Sequence, residues 1–425
     1  MNSTTINTNI VSKLGVFFFL LFISFYWTSA YPGLNIFFFK IKIPFNIVFF
    51  IISFGLSVVS IPLLDNPFSG LGFYMFSAML FMAGVLLSNA FKYTGYKGIV
   101  EPFLYVFIPL SGFLLAGNQP ALFMKKCIRA VWFNGIVMTC IGMFRLLVSG
   151  APWMEIIDHQ KVGFGSRNLD AYFILFGMIS GIIMLSDIKR NGLKIFVMMT
   201  CFFNAIAIFF SFSRGMILSS MIVLLMLFFY YGLKTKFIMM IVLLILTFIS
   251  IFSLSCSKTA QRAASISYER FMLITSSEQI TKSGIHNSVP GRMKLIPLSF
   301  KAIINNPITG LGFGKFADFS KKNGIVVNDP HNNYLLVWVE LGSIAFMGYL
   351  FMAALPVVIY FKVRNDINEN SLNLALLLYV FTITFTSLFT NYVTYYGYWL
   401  LLSIIIPGNK ISKPNLFEPY TEYNL

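Results

Sequence analysis

Apolar runs of about 20 residues recur along most of this chain, and each is long enough to cross a bilayer as a helix. Only 11% of the residues are charged while 57% are hydrophobic, which is too few charges to cover a water-soluble fold. The 49 phenylalanines exclude a disordered chain. A membrane barrel would show short alternating strands instead of long apolar runs. The sequence therefore predicts an all-α polytopic membrane protein, with residues 1–425 forming one integral membrane domain.

The apolar runs predict about twelve transmembrane helices. They lie near residues 12–30, 43–62, 71–90, 102–118, 128–148, 169–186, 195–211, 215–231, 237–256, 331–360, 371–389 and 392–407. An even number of spans places both termini on the same side of the membrane.

Short basic loops orient these predicted helices. Their Lys and Arg clusters all fall on one side, which the positive-inside rule assigns to the cytoplasm. The clusters are Lys125–Arg129, Lys189–Lys194, Lys234–Lys236, Lys362–Arg364 and Lys410–Lys413. Lys40, Lys42, Lys92 and Lys97 fit this orientation less well. The net charge of +16 is explained by such loops beside anionic lipid head groups, so no nucleic-acid partner is expected.

A long segment, residues 257–330, faces outward under this topology and carries more Lys and Arg than Asp and Glu. Loops longer than about 60 residues are exempt from the positive-inside rule, and an anionic ligand would account for the excess. Within it, Gly291–Asn305 shows an apolar stripe with helical spacing. We expect an amphipathic helix lying on the membrane surface, ended by Asn306 and Pro307.

His331 follows Asp329 and Pro330, which predict the start of the next span with Asp329 as N-cap and Pro330 as the first helical residue. His331 and Asn332 would then lie in its first turn, at the water boundary, where we expect Asn332 to bind substrate. There His331 either bonds to lipid or a loop carbonyl, or serves as a general base towards a substrate hydroxyl.

Two arginines lie in the predicted outward-facing turns and loops. Arg214 separates two apolar runs, and Arg292 opens the amphipathic segment. Arg214 either reaches to lipid phosphate or offers its planar guanidinium to a phosphate ligand. Arg292 is either a solvated charge on a helix face or a second group on the same anion.

Glu340 lies nine residues beyond His331 in the same apolar run. An acid inside a span usually has a partner or a role. Because nine helical residues turn the chain through 900°, Glu340 points away from the His331 face. We therefore assign it a structural pairing role first and catalysis second.

Two weaker features complete the candidate set. The run containing Gly312 and Gly314 lacks the strand and the Lys-Ser/Thr of a P-loop, so it is a flexible turn or a backbone cradle for phosphate. Arg167 and Asn168 begin another span and would help to hold sugar or phosphate.

The metal-binding residue types are scattered. The cysteines lie in or beside apolar runs without CxxC spacing, and the three histidines are far apart, so we expect no metal centre and no cofactor. These residues are Cys127, Cys140, Cys201, Cys256, His159, His286 and His331.

Together these motifs resemble the bacterial O-antigen ligase and O-antigen polymerase superfamily. The residues that carry the resemblance are SFSRG at 211–215, PGR at 290–292, NPITGLGFG at 306–314, DPHNNYL at 329–335 and ELG at 340–342. Their order, with a large outer loop before the His-Asn segment, is more specific than any single fragment.

The resemblance implies a metal-independent, inverting glycosyltransferase of the bacterial inner membrane, with its active site facing the periplasm. Its donor would be an oligosaccharide carried on undecaprenyl diphosphate. Arg214 and Arg292 would hold the diphosphate, and His331 would assist the acceptor hydroxyl. Possible partners are a chain-length regulator or a lipid A–core acceptor.

Three readings remain open from the sequence. A polymerase extends the glycan and a ligase attaches it to lipid A–core; the compact outer loop leads us to favour polymerase slightly. A flippase or transporter is the rival from another class, but it would show internal repeats and polar sites near the midplane. A purely structural subunit would not need Arg214, Arg292 and His331 on one side.

Overall fold

The computed structural model describes residues 3–25, 35–38, 41–63, 70–92, 97–117, 119–149, 167–210, 214–230, 289–325, 327, 329–364, 370–387 and 396–410. Within these ranges the chain is mostly helical. The helices are α1 (Ser3–Ser24), α2 (Phe45–Val59), α3 (Gly72–Lys92), α4 (Lys97–Ala116), α5 (Pro120–Ser149), α6 (Arg167–Met184), α7 (Asn191–Phe210), α8 (Arg214–Tyr230), α9 (Val289–Asn305), α10 (Phe316–Lys322), α11 (Asn333–Val363), α12 (Asn370–Ser387) and α13 (Tyr396–Ile405). Short 3-10 turns follow α2 and α13, at Ile61–Leu63 and Ile406–Lys410.

A helix coincides with each predicted span except the ninth, 237–256, which lies outside the described residues. Four helical segments among the described residues are long and apolar enough to cross a membrane: Gly72–Lys92, Gly98–Ala116, Asn191–Ile208 and Asn333–Val363. Shorter apolar helices accompany them, α2 and α12 among them. The protein is thus a helical membrane protein, while the count of twelve spans stays a prediction.

The structure adds one element that hydropathy did not predict. Strands β1 (Asn35–Phe38) and β2 (Ile41–Pro44) pair antiparallel, with Ile36 opposite Ile43 and Phe37 opposite Lys42. Isoleucine and phenylalanine favour strands as readily as apolar helices, so an apolar run alone does not distinguish the two. The hairpin lies between α1 and α2, where the basic residues fitted the predicted topology poorly.

Helix α5 begins earlier than the predicted span, at Pro120. Proline suits the first helical position because that residue's N–H has no partner in the helix anyway. Lys125, Lys126 and Arg129, which we expected in a loop, therefore lie in the first turns of α5. Lys125 reaches Asp187, just beyond α6, at 3.7 Å.

Small residues let α3 and α11 pack backbone to backbone. Gly84 lies against Ala345, and Gly348 lies against Phe81, so closely that a Cβ on either glycine would overlap the opposite helix. Membrane helices use such contacts because close approach gains van der Waals contact without a hydrophobic driving force. The packed pair α3–α11 belongs to the main core, and this packing positions α11.

Helices α9, α10 and α11 enclose a second, smaller core. It contains Leu295, Leu298 and Ala302 from α9, together with Phe316 and Val339. The predicted amphipathic helix is therefore present, but its buried face is turned towards the protein.

An outward stripe on α9 matches part of the predicted pattern. Ile296, Phe300 and Ile304 are exposed, whereas Ile303 is buried in the second core. The exposed residues follow one another at intervals of four, as a membrane-facing stripe requires. Contact with the bilayer surface remains a prediction.

Candidate functional site

Helix α11 is capped by Asn332. This residue has extended backbone angles (φ −148°, ψ 122°), and its side-chain oxygen accepts a hydrogen bond of 3.0 Å from the N–H of Leu335. The prediction that Asp329 is the N-cap and Pro330 the first helical residue is therefore wrong. A side chain caps a helix by accepting from the second or third helical N–H, and Asn332 is the residue in that position.

Asp329 instead contacts His331. One carboxylate oxygen, Oδ1, accepts from the backbone N–H of His331 at 2.8 Å and lies 3.0 Å from its ring nitrogen Nδ1. The side chains of His331 and Asp329 are 25% and 17% exposed. The imidazole is therefore held from one side at the boundary of the protein.

His331 has a φ of 54°, the only positive value of any non-glycine residue among the described ranges. This left-handed conformation is uncommon for residues with a side chain, and it costs about 1–2 kcal/mol. The two contacts to Asp329 and the cap that follows stabilise it. Strain of this kind is often found where a side chain must be aimed.

Asn333 ties the start of α11 to the end of α12. It is fully buried, and its amide donates a hydrogen bond of 3.1 Å to the Ser387 hydroxyl. Asn332 and Asn333 therefore have separate structural roles directly after His331. The expected contact of Asn332 with substrate stays a prediction beside its observed role as a cap.

The glycine-rich loop crosses α11 where that helix is broken. Gly342 has φ 79° and ψ −179°, which interrupts the helix, and Gly310 lies against it. The N–H groups of Leu311 and Gly312 donate to the carbonyls of Val339 and Glu340, each at 2.9 Å. The carbonyls of α11 beside the break therefore accept hydrogen bonds from the loop.

The Glu340 carboxyl group is directed at the same loop. Its two oxygens accept hydrogen bonds from the N–H groups of Gly314 at 2.8 Å and Phe316 at 3.2 Å, and the residue is buried. These contacts join the Glu340 carboxyl group to the glycine-rich loop, and the roles expected of Glu340 stay predictions. The contacts also occupy the Gly314 N–H, and Gly312 donates to the Glu340 carbonyl, so a phosphate cradle built from these glycines would have to displace Glu340.

Helices α6 and α12 run antiparallel. Leu372, early in α12, lines a cavity together with Asp187, just beyond the end of α6. Two turns further along α12, the hydroxyls of Tyr379 and Ser180 are 2.5 Å apart. The end of α12 thus lies beside the start of α6, and the hydrogen bond between α12 and the start of α11 places that start at the same end of the bundle.

Helix α7 returns along α6. Gly181 approaches Cys201 and Gly177 approaches Asn204, so the two helices are antiparallel. Helix α8 begins at Arg214, a few residues after α7 ends. Helices α6, α8 and α11 therefore all begin at one end of the bundle, which we call the His331 end.

Helix α9 runs in the same direction as α11. The Phe300 and Trp338 rings are 6.3 Å apart, and further along both segments the Pro307 carbonyl accepts from the Ser343 N–H at 2.9 Å. Arg292 precedes Phe300 by about 12 Å of helix. Its backbone therefore lies towards the start of α11.

The starts of α6, α8 and α11 thus lie at the His331 end, and α9 begins towards it. The side chains of Arg167, Asn168, Arg214 and Arg292 lie outside the described part of the chain, so their contacts with His331 stay a prediction. Among the described residues, no three His, Cys, Asp or Glu side chains form a group suited to a metal ion.

Asp329 was not predicted as the partner of His331. The signal was present, because an Asp two residues before another residue commonly accepts that residue's N–H in an Asx turn. We interpreted the same Asp-Pro pair as a helix start, and a helix beginning there excludes an Asx turn at Asp329.

The fold and this end of the bundle define a helical membrane protein with a histidine at the mouth of a long span. Residues 199–350 match the family model described as O-antigen ligase. The match includes Arg214, Arg292, His331 and Glu340, and it supports the O-antigen ligase and polymerase superfamily for this chain, which confirms the resemblance of the motifs. A comparison with curated proteins found no match.

Proposed function

We propose that this protein is an inner-membrane glycosyltransferase of lipopolysaccharide O-antigen assembly. It transfers a glycan from undecaprenyl diphosphate to an acceptor hydroxyl at the His331 end of the bundle. The observation that supports this most is the shared position of three helix starts. Helix α8, which carries Arg214, and helix α11, which follows His331, begin at the same end of the bundle. Helix α9, which carries Arg292, begins towards that end.

In the proposed reaction, the acceptor oxygen attacks the anomeric carbon from the face opposite the diphosphate. The bond from that carbon to the diphosphate oxygen breaks with inversion, and the acceptor proton passes to His331. Negative charge grows on the leaving diphosphate, so guanidiniums already in place stabilise the transition state more than the ground state. The diphosphate-linked sugar supplies the driving force.

We further propose that the His331 end faces the periplasm. Basic residues gather at the opposite end. Lys125 lies there beside Asp187, and Arg364 follows α11. The carbonyl of Arg364 accepts a hydrogen bond from Asn373 at the start of α12. The positive-inside rule assigns such an end to the cytoplasm. In a cysteine-free background, Lys321→Cys, an exposed position in the segment predicted to face outward, should react with an impermeant thiol reagent in intact spheroplasts, and Arg364→Cys should not. The reverse labelling pattern would overturn this orientation.

The functional test uses Arg214→Ala, Arg292→Ala and His331→Ala in a strain lacking the native gene. Each variant should insert at the wild-type level and abolish long glycan on lipopolysaccharide, with an activity loss of at least about 100-fold for each in a purified assay. Arg364→Ala is the matched control, because it removes an exposed arginine at the opposite end of the bundle. Normal glycan ladders in all three site variants would refute the proposal.

A polymerase and a ligase differ in the acceptor of the glycan. The matched family is described as O-antigen ligase, but its match does not distinguish a ligase from a polymerase; the compact outer loop led us to favour polymerase slightly. Lipopolysaccharide from the deletion strain decides between them. A single attached repeat identifies a polymerase, and complete loss of glycan with accumulation of lipid-linked polymer identifies a ligase.

A further inference from the structure

We infer that Asp329 is a positioning residue for His331, an inference that rests on the function proposed above. Its carboxylate sets which ring nitrogen of His331 carries the proton and supports the charge that the ring gains when it accepts the acceptor's proton. Asp329 itself touches neither substrate.

The geometry that carries this inference is a shared acceptor. Asp329 Oδ1 lies 2.8 Å from the His331 backbone nitrogen and 3.0 Å from its Nδ1. The first contact is that of an ordinary turn and needs only an acceptor atom. The second contact fixes the orientation of the imidazole, which a turn does not require.

The hydrogen bond determines the tautomer. Because a carboxylate only accepts, Nδ1 carries a hydrogen, and in the neutral imidazole Nε2 then presents a lone pair. Both side chains are largely shielded from water, so the carboxylate is screened less than a surface charge would be.

The proposed step is balanced without a cofactor. The acceptor O–H bond breaks, its proton forms an Nε2–H bond, and the acceptor oxygen bonds to the anomeric carbon as the diphosphate leaves. His331 becomes a cation whose Nδ1–H still donates to Asp329. The proton stays on the ring, and the carboxylate stabilises that cation electrostatically.

Asp329→Asn separates the negative charge of Asp329 from its hydrogen bonds, because an amide oxygen still accepts from both the backbone N–H and the Nδ1–H of His331. Asparagine keeps an oxygen that accepts the His331 N–H, so the turn and the left-handed backbone of His331 are retained, but the negative charge is lost. In the full-length protein in liposomes, supplied with lipid-linked glycan and acceptor, we expect kcat to fall at least about tenfold and KM for the lipid-linked glycan to stay within about twofold. Asp318→Asn is the matched control, since Asp318 is an exposed acid paired with Lys315 at 3.6 Å; it should retain wild-type kinetics.

A combined variant tests whether Asp329 acts through His331. In a His331→Gln background, adding Asp329→Asn should cause no further loss of residual activity, because residues that act as a unit are not additive. A further loss of residual activity would show that the charge of Asp329 acts independently of His331. That result would overturn the inference.

The kinetic outcomes separate this inference from the proposed function. If His331→Gln is inactive while Asp329→Asn keeps its kcat, the positioning role is refuted and the proposed transferase stands. If Asp329→Asn raises only KM, Asp329 binds substrate and the inference also fails. If His331→Gln keeps full activity, the proposed base itself is wrong, and the inference falls with it.

Discussion

Gly310 and Gly342 lie backbone against backbone where the glycine-rich loop crosses the break in α11. A Cβ on Gly310 would lie 2.7 Å from the Gly342 nitrogen, and both residues have positive φ values, 67° and 79°. Only glycine combines this conformation with so little space. The contact joins the segment after α9 to the long helix that follows His331.

Gly342→Ala should destabilise the protein by at least about 2 kcal/mol, because the new methyl group meets the Ile308 carbonyl in a backbone conformation that alanine rarely adopts. The thermal midpoint of unfolding in detergent should fall. Gly55→Ala is the control, since Gly55 lies in α2 with open space around its Cβ position. An unchanged midpoint for Gly342→Ala would show that the loop separates from α11 without cost.

Glu340→Ala should cost about 2–5 kcal/mol, because it leaves the N–H groups of Gly314 and Phe316 without their acceptor. Glu340→Gln keeps one oxygen acceptor and should lose less. Thermal midpoints of the two variants in detergent test this order. A Gln variant as unstable as Ala would indicate that the negative charge, and not the hydrogen bonds, holds the loop.

Sequence reasoning succeeded where one physical signal dominates. Apolar length predicted the helices, and the ordered motifs predicted the superfamily that residues 199–350 match. It failed at the start of α11, because Asp329 and Asn332 are both good caps and only the backbone of His331 decides between them. Local preference alone does not reveal a left-handed residue.

The glycine run shows a second limit. Gly310, Gly312 and Gly314 fit a phosphate cradle in sequence, yet the structure directs the N–H groups of Gly312 and Gly314 to Glu340, almost 30 residues later along the chain. That pairing depends on the break at Gly342, where the glycine-rich loop contacts α11 although the two segments are far apart in sequence. Hydropathy and motif spacing contain no information about it.

Asn332→Ala should lower stability by about 1 kcal/mol through loss of the cap of α11. Asn332→Asp keeps an acceptor for the Leu335 N–H and should retain both stability and transferase activity. Thermal midpoints and glycan-transfer rates measured together test this. If Asp restores stability but not activity, Asn332 contacts substrate in addition to capping the helix.

Lys410 lies beyond α13 and closes the end of α4. Its ammonium group donates to the carbonyls of Phe113 and Gly117, both at 3.3 Å, and lies 4.0 Å from the centre of the Phe113 ring. These contacts favour the charged form at a helix C-terminus. Burial opposes them and lowers the pKa of Lys410 from an ordinary 10.5 to about 8.

This lowered pKa predicts a pH-dependent stability. Between about pH 8 and 10.5 the unfolded chain binds more protons at Lys410 than the folded protein, so the contribution of Lys410 to stability rises with pH; below pH 8 the cost of burying the ammonium is present in full. The thermal midpoint of the wild type minus that of Lys410→Met should therefore increase by about 2 °C or more from pH 7.5 to pH 10. Subtracting the midpoint of the variant removes the contributions of all other titrating groups, because both proteins share them. A difference that stays flat or falls over this range would mean that the carbonyls and the Phe113 ring offset the burial cost completely.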